Sequence, residues 1–311
     1  MHKAIQWLAN RTKPNQLRKL LVRIAPPLSA LILAILFSAL TMALIGRNPL
    51  IAFPMIISGA FASKISIAEV LVKTTPLLIV GIGTAFAFRC QMWNIGAEGQ
   101  MLIGALCAGG VALASPEMPA IALIPLAVVA AFIGGGIWGG IAGFLKATRG
   151  ASEIINTIML NYVAVYLTNY LVTGPLKETK YLPQSKLFPL TANLPQLMLP
   201  TRLNIGLLIG ILSAVIIAII LWRTSLGFSI FAVGTNIKAA RTGGISVGTT
   251  MTAAMFVSGG LAGIAGAVEV LGLYHRIMDG TSAGYGFSAM AVAILGALNP
   301  LGIAVFAFLF A

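Results

Sequence analysis

Two acids fall within apolar stretches of this chain, Glu98 and Glu269. An ionised carboxylate in such surroundings is costly, so each must face a partner, water or a passing solute. For Glu98 the sequence offers Arg89 or the backbone N–H groups of an interrupted helix, and a place at a membrane edge fits equally well. Glu269 is expected to reach toward the outer face, near His275 and Arg276. Amides are the second signal: Asn156, Asn161 and Asn169 crowd one apolar segment and Asn94 precedes another. By polarity and position, Asn94, Glu98, Asn156 and Asn161 are the candidates for lining or bracing a passage, and they serve equally as purely structural residues. A Glu98 that took up protons would make the chain an ion-coupled carrier.

Other chemistries lack their parts. His275 is alone as a candidate ligand, since His2 lies in a basic leading segment. No metal site and no Ser/His/Asp arrangement can be built on it. Cys90 and Cys107 form neither a disulfide framework nor a metal cluster. Val257-Ser258-Gly259-Gly260-Leu261 superficially resembles an ATPase signature, but its place in an oily helix reads as close packing. No Gly-Lys pair occurs, so there is no phosphate-cradling loop. No catalytic residue and no cofactor are assigned; if ATP is used, another chain hydrolyses it.

The elements that must hold these side chains are helices in lipid. The 311 residues are 59% hydrophobic and 9% charged, with a mean hydropathy of +0.98. A soluble domain of average make-up has roughly 25% charged residues. The long uninterrupted apolar runs predict an all-α, polytopic inner-membrane bundle, because barrel strands would alternate. The net charge of +13 is read as topology and lipid contact, not nucleic-acid binding. Residues 1–26 form a basic arm with Lys3, Arg11, Lys13, Arg18, Lys19 and Arg23 and no small-residue cleavage site. The arm is read as retained and cytoplasmic, and residues 27–311 as the membrane domain.

About nine membrane segments are expected, two of them short. The final apolar run, 301–311, is too short to cross, so a truncated chain with further helix is expected. Gly135/Gly139, Gly136/Gly140 and Gly139/Gly143 carry the four-residue spacing that lets two helices approach closely. A short internal repeat is visible. Asn94 to Gln100 leads to Ile103-Gly104-Ala105-Leu106, and Gly284 to Ser288 leads to Leu295-Gly296-Ala297-Leu298. The helices preceding the two copies run in opposite senses in this topology. An inverted repeat would give that, with interrupted helices beside a central pathway.

Between two oily segments lies a polar, glycine-rich stretch, residues 223–248, holding a small helix with both ends marked. Thr235 or Asn236 can cap its start, and Gly243 or Gly244 can close it. Such a helix is either a contact surface or a connector packed on its own neighbours.

Five ordered motifs then carry a resemblance. They are Phe88-Arg89 with Asn94 to Gln100; Thr157 to Tyr162; Gly227 to Gly234 with Asn236, Ala239-Ala240-Arg241 and Gly244-Ile245; Gly284 to Phe287; and Asn299 to Gly302. The chain resembles the permease subunits of bacterial ABC importers, in the nucleoside and simple-sugar branch of the ribose-permease-like superfamily. The resemblance implies transport by alternating access. It implies that the coupling loop, with Gly234, Asn236, Ala239, Ala240, Arg241 and Gly244, seats on a cytoplasmic ABC ATPase. It also implies a second permease subunit, often a related chain, and an extracytoplasmic substrate-binding protein that delivers the solute. Hydroxyls and ring nitrogens of a nucleoside or sugar are groups that amides match without fixed charge.

Overall fold

The computed structural model describes residue 29 and residues 32–178 and 182–311. The basic arm at residues 1–26, and Lys180, lie outside the described residues. Among the described residues there are twelve α-helices and no strand, as the long apolar runs require. The chain divides into two units, Met1–Ser63 and Lys64–Ala311.

In the first unit, α1 (Ile32–Leu44) and α2 (Pro49–Phe61) meet at a bend of 114°. Asn48 sets the break: its side chain accepts from the Leu50 N–H, and Pro49 opens the next helix. Proline suits that first position because its missing N–H would have had no helical partner.

The second unit begins with α3 (Lys64–Phe88), α4 (Ala97–Ala114), α5 (Ala120–Arg149) and α6 (Glu153–Thr173). A loop with one 3-10 turn, Leu190–Ala192, leads to α7 (Gly206–Arg223), α8 (Ser225–Thr235) and α9 (Ile237–Thr242). α10 (Val247–Glu269) continues through a π turn, Val270–Tyr274. α11 (Tyr285–Leu295) and α12 (Pro300–Phe310) close the described chain.

Among the described residues, five helices are long and apolar enough to cross a membrane: α3, α4, α5, α7 and α10 with its extension; the bent pair α1–α2 makes six. This is fewer than the nine segments expected, for two reasons. α6 has the length, 21 residues, but is less apolar than the five. α11 and α12 have 11 residues each, about 16 Å of helix against a hydrocarbon core of about 30 Å.

α10 is the centre of this unit and packs on α3, α4 and α5. Its contact with α5 is backbone on backbone. A methyl group at Gly139 would lie 2.6 Å from the Met255 carbonyl oxygen, and one at Gly263 would lie 2.1 Å from that of Ala131. The four-residue glycine spacing therefore does what it predicts, with Met255, Gly259 and Gly263 as the facing surface. Outward faces are aliphatic: Ile133, Ile137 and Ile141 on α5, and Leu208, Leu212, Val215 and Ile219 on α7 are exposed. Faces of this kind have lipid as their solvent, and the chain is a multi-pass membrane protein.

Candidate functional site

α3 ends at Phe88 and α4 begins at Ala97; the eight residues between are not helical. Asn94 shapes this break. Its Oδ1 accepts from the Gly96 N–H at 3.0 Å, an Asx turn. Its amide also pairs reciprocally with that of Gln100: Asn94 Nδ2 donates to Oε1 at 2.8 Å, and Gln100 Nε2 donates back at 2.9 Å. Asn94 Nδ2 further reaches Ser258 Oγ on α10 at 2.8 Å. From α6, Asn161 donates to the Ile95 carbonyl at 2.9 Å and accepts from the Gly99 N–H at 2.8 Å. Asn94 and Gln100 are 1% exposed and Asn161 6%, so these bonds replace water that cannot reach them.

Glu98 completes the junction. Oε1 accepts from the Gly284 N–H at 3.0 Å and Oε2 from the Gly286 N–H at 2.8 Å. These N–H groups open α11, where a helix leaves its first donors unpaired and favours a negative charge. A methyl at Gly286 would stand 2.3 Å from the Glu98 nitrogen, so glycine is what lets the two helix starts touch. Of the two partners open to Glu98, the backbone is the one it takes. Arg89 goes elsewhere: its Nε and Nη2 donate to the Leu298 carbonyl, just past α11, at 3.1 and 2.7 Å. Its guanidinium also lies 4.9 Å from the centre of the Phe231 ring. Residues 89–98 thus hold α11 at both ends, with the carboxylate at the amino end and the cation at the carboxyl end, matching the helix dipole. The two copies of the short repeat meet here, through Glu98 and Gly284 with Gly286.

Not every candidate joins the junction. Asn156 is half-buried on α6, and its Nδ2 has no partner among the described residues. Glu269 bonds neither His275 nor Arg276. It is 2% exposed and borders a small enclosed cavity with Thr75 and Asn204, and its Oε2 has no partner among the described residues. Arg276 pairs instead with Glu178 at 3.8 Å, and His275 Nδ1 lies 3.1 Å from the Leu271 carbonyl. Burial holds the His275 imidazole below the ordinary histidine value, partly offset by that contact. Sequence reasoning passed over Gln100 and Ser258; a glutamine opening an oily helix was the available signal.

The small helix of the glycine-rich stretch is α9. Asn236 caps it, with Oδ1 accepting from the N–H groups of Lys238 at 3.0 Å and Ala239 at 3.1 Å. Thr235 ends α8 instead, donating its hydroxyl to the Phe231 carbonyl. Gly244, at φ +81°, is the left-handed residue after the helix. Lys238, Ala239 and Arg241 are exposed while Ala240 is buried. Gly234 is a joint rather than surface. A methyl there would fall 1.9 Å from the Arg89 carbonyl oxygen, and Gln91 Nε2 donates to the Gly234 carbonyl at 2.7 Å. A continuous set of contacts therefore runs from α9 through Gly234 and Arg89 to α11 and Glu98.

The family model described as a permease component of branched-chain amino acid transport systems matches residues 66–311. The chain belongs to this permease family. The permease is similar to the nucleoside ABC transporter permease protein NupB of Lactococcus lactis, 36% identical over 306 residues, which cover 95% of this chain and 83% of the relative. It is 35% identical to the guanosine ABC transporter permease protein NupP of Bacillus subtilis, over 92% of this chain and 83% of that one. It is also 32% identical to the glucose ABC transporter permease protein TsgB13 of Haloferax volcanii, over 87% and 74%. No solved structure matches. Both halves of the buried junction, and α9, lie inside the matched region of the permease.

Proposed function

We propose that this permease carries nucleosides or related simple sugars inward across a bacterial inner membrane, with its basic N-terminal arm and α9 in the cytoplasm. A separate ABC ATPase hydrolyses the ATP, a related second permease chain completes the pathway, and an extracytoplasmic binding protein delivers the solute. The names of the relatives support the solute class, and two of them belong to nucleoside or guanosine transporters. The observation that carries the reading is the build of α9. It is a six-residue helix, capped by Asn236, showing Lys238, Ala239 and Arg241 outward and anchored behind by Ala240 and Gly234. An exposed, rigid knob joined by contacts to a buried break in the helices suits the transfer of motion from an ATPase. Asn94, Glu98 and Asn161 then act as braces that keep the interrupted helices in register while the pathway changes its facing.

The proton-coupled alternative draws less support. Both oxygens of Glu98 already accept from backbone N–H groups, which gives the side chain a structural use without proton transfer. The sidedness of α9 is tested with Lys238→Cys. An impermeant thiol reagent should leave it unmodified in intact cells and modify it in inside-out vesicles, with protection when the ATPase is bound. Modification from outside intact cells overturns the assignment.

A further inference from the structure

α6 differs from its neighbours on the side that faces away from the junction. Tyr162, Tyr166 and Tyr170 recur every four residues, so they stack along one stripe of the helix. They are 58%, 72% and 65% exposed, and none of their phenols is hydrogen-bonded among the described residues. Three of the six tyrosines in the chain stand here. By helical position Asn156 flanks the stripe on one side and Asn169 on the other.

Lipid selects a different face. The exposed residues in the middle of α5 and α7 are aliphatic, Ile133, Ile137 and Ile141 on one and Leu208, Leu212, Val215 and Ile219 on the other, whereas the α6 stripe changes from Ile155 and Met159 to tyrosine at Tyr162. Tyrosine in membranes favours the two interfaces, where its hydroxyl meets water. Tyr162 is the tenth of 21 residues in α6, the middle of a helix about 32 Å long. A phenol in hydrocarbon at that depth would lose its hydrogen bonds without replacement. α6 is also the least apolar of the helices with 18 residues or more.

We infer that this face of α6 lines the water-filled translocation pathway and that its tyrosine rings stack planar nucleobases in transit. The inference rests on the nucleoside reading above. Stacking on an aromatic ring accepts every base, because every base has a π face. Asn169, at the edge of the stripe, offers an amide oxygen to a hydroxyl of the sugar. A ladder of weak, equivalent contacts lets cargo step along without being held.

The test uses the assembled importer with Cys90→Ala and Cys107→Ala as background. Tyr162→Cys and Tyr166→Cys are compared with Ile137→Cys and Ile219→Cys on the aliphatic faces. A charged thiol reagent should modify the two tyrosine positions at least roughly tenfold faster, since only a thiolate in water reacts. Guanosine should slow that modification and ribose should not. In parallel, joint Tyr162→Leu and Tyr166→Leu replacement should lower guanosine uptake roughly tenfold with complex yield intact, and the two phenylalanine replacements should retain most of it. Equally slow modification at all four positions overturns the inference, as does unchanged uptake by the leucine variant. If the wild-type importer takes up no nucleoside, the solute reading fails. Fast modification at the tyrosines would then leave the pathway standing and discard the nucleobase.

Discussion

Glu98 separates two accounts of a membrane carboxylate. A coupling group must gain and lose a proton, whereas a brace must stay an acceptor. Glu98→Gln keeps the shape but turns one acceptor into a donor aimed at a backbone N–H. Leaving a buried N–H unsatisfied costs about 1–3 kcal/mol. The expected outcome is a lower melting temperature of the purified complex, a larger drop for Glu98→Ala, and transport that falls in step. Lost transport at unchanged melting temperature would contradict the brace. Glu269 makes the opposite prediction. Its Oε2 is buried without a partner among the described residues, and a neutral side chain of the same size avoids that desolvation cost. Glu269→Gln should leave melting unchanged or raise it; a drop of several degrees would show a bond that this account lacks. At this scale the sequence flags these residues for their polarity but leaves their partners open. Gly284 and Gly286 lie 186 and 188 residues beyond Glu98, and Leu298 lies 209 beyond Arg89. Polarity in an oily run says that a partner exists, and only the fold says which one.

Among the elements, the α5–α10 contact and α9 were legible because their signals are local. A glycine every four residues marks one helix face, and an Asn before with a glycine after marks a short helix. α11 was harder: a short apolar run reads alike as a membrane edge or as a half-helix, and what distinguishes it is the pair of charges at its two ends. These elements respond differently to bulk. Gly139→Leu drives a side chain into the Met255 carbonyl and should abolish a folded, monodisperse complex. Ala239→Trp stands on the exposed face of α9, so the permease should fold and keep its melting temperature while the ATPase no longer co-purifies. Ala240→Trp, at the buried position, should unfold the local joint as well. Co-purification undiminished by Ala239→Trp would remove α9 as the ATPase contact.

Across the whole molecule, the exposed α9 and the buried Glu98 junction are parts of one arrangement: residues 89–91 touch Gly234 at the end of α8, and residues 89–98 hold α11 at both ends. On the proposed reading, motion delivered at α9 passes through Gly234 and Arg89 to the place where the helices are interrupted. Transport by this permease should need an ATPase. The most direct measurement is uptake of radiolabelled guanosine into proteoliposomes holding this permease, its permease partner and the ATPase, with the binding protein outside. Uptake should appear with ATP enclosed, vanish with Ala239→Trp, and be indifferent to a pH gradient. Uptake by the permease alone, driven by a pH gradient without ATP, would contradict it.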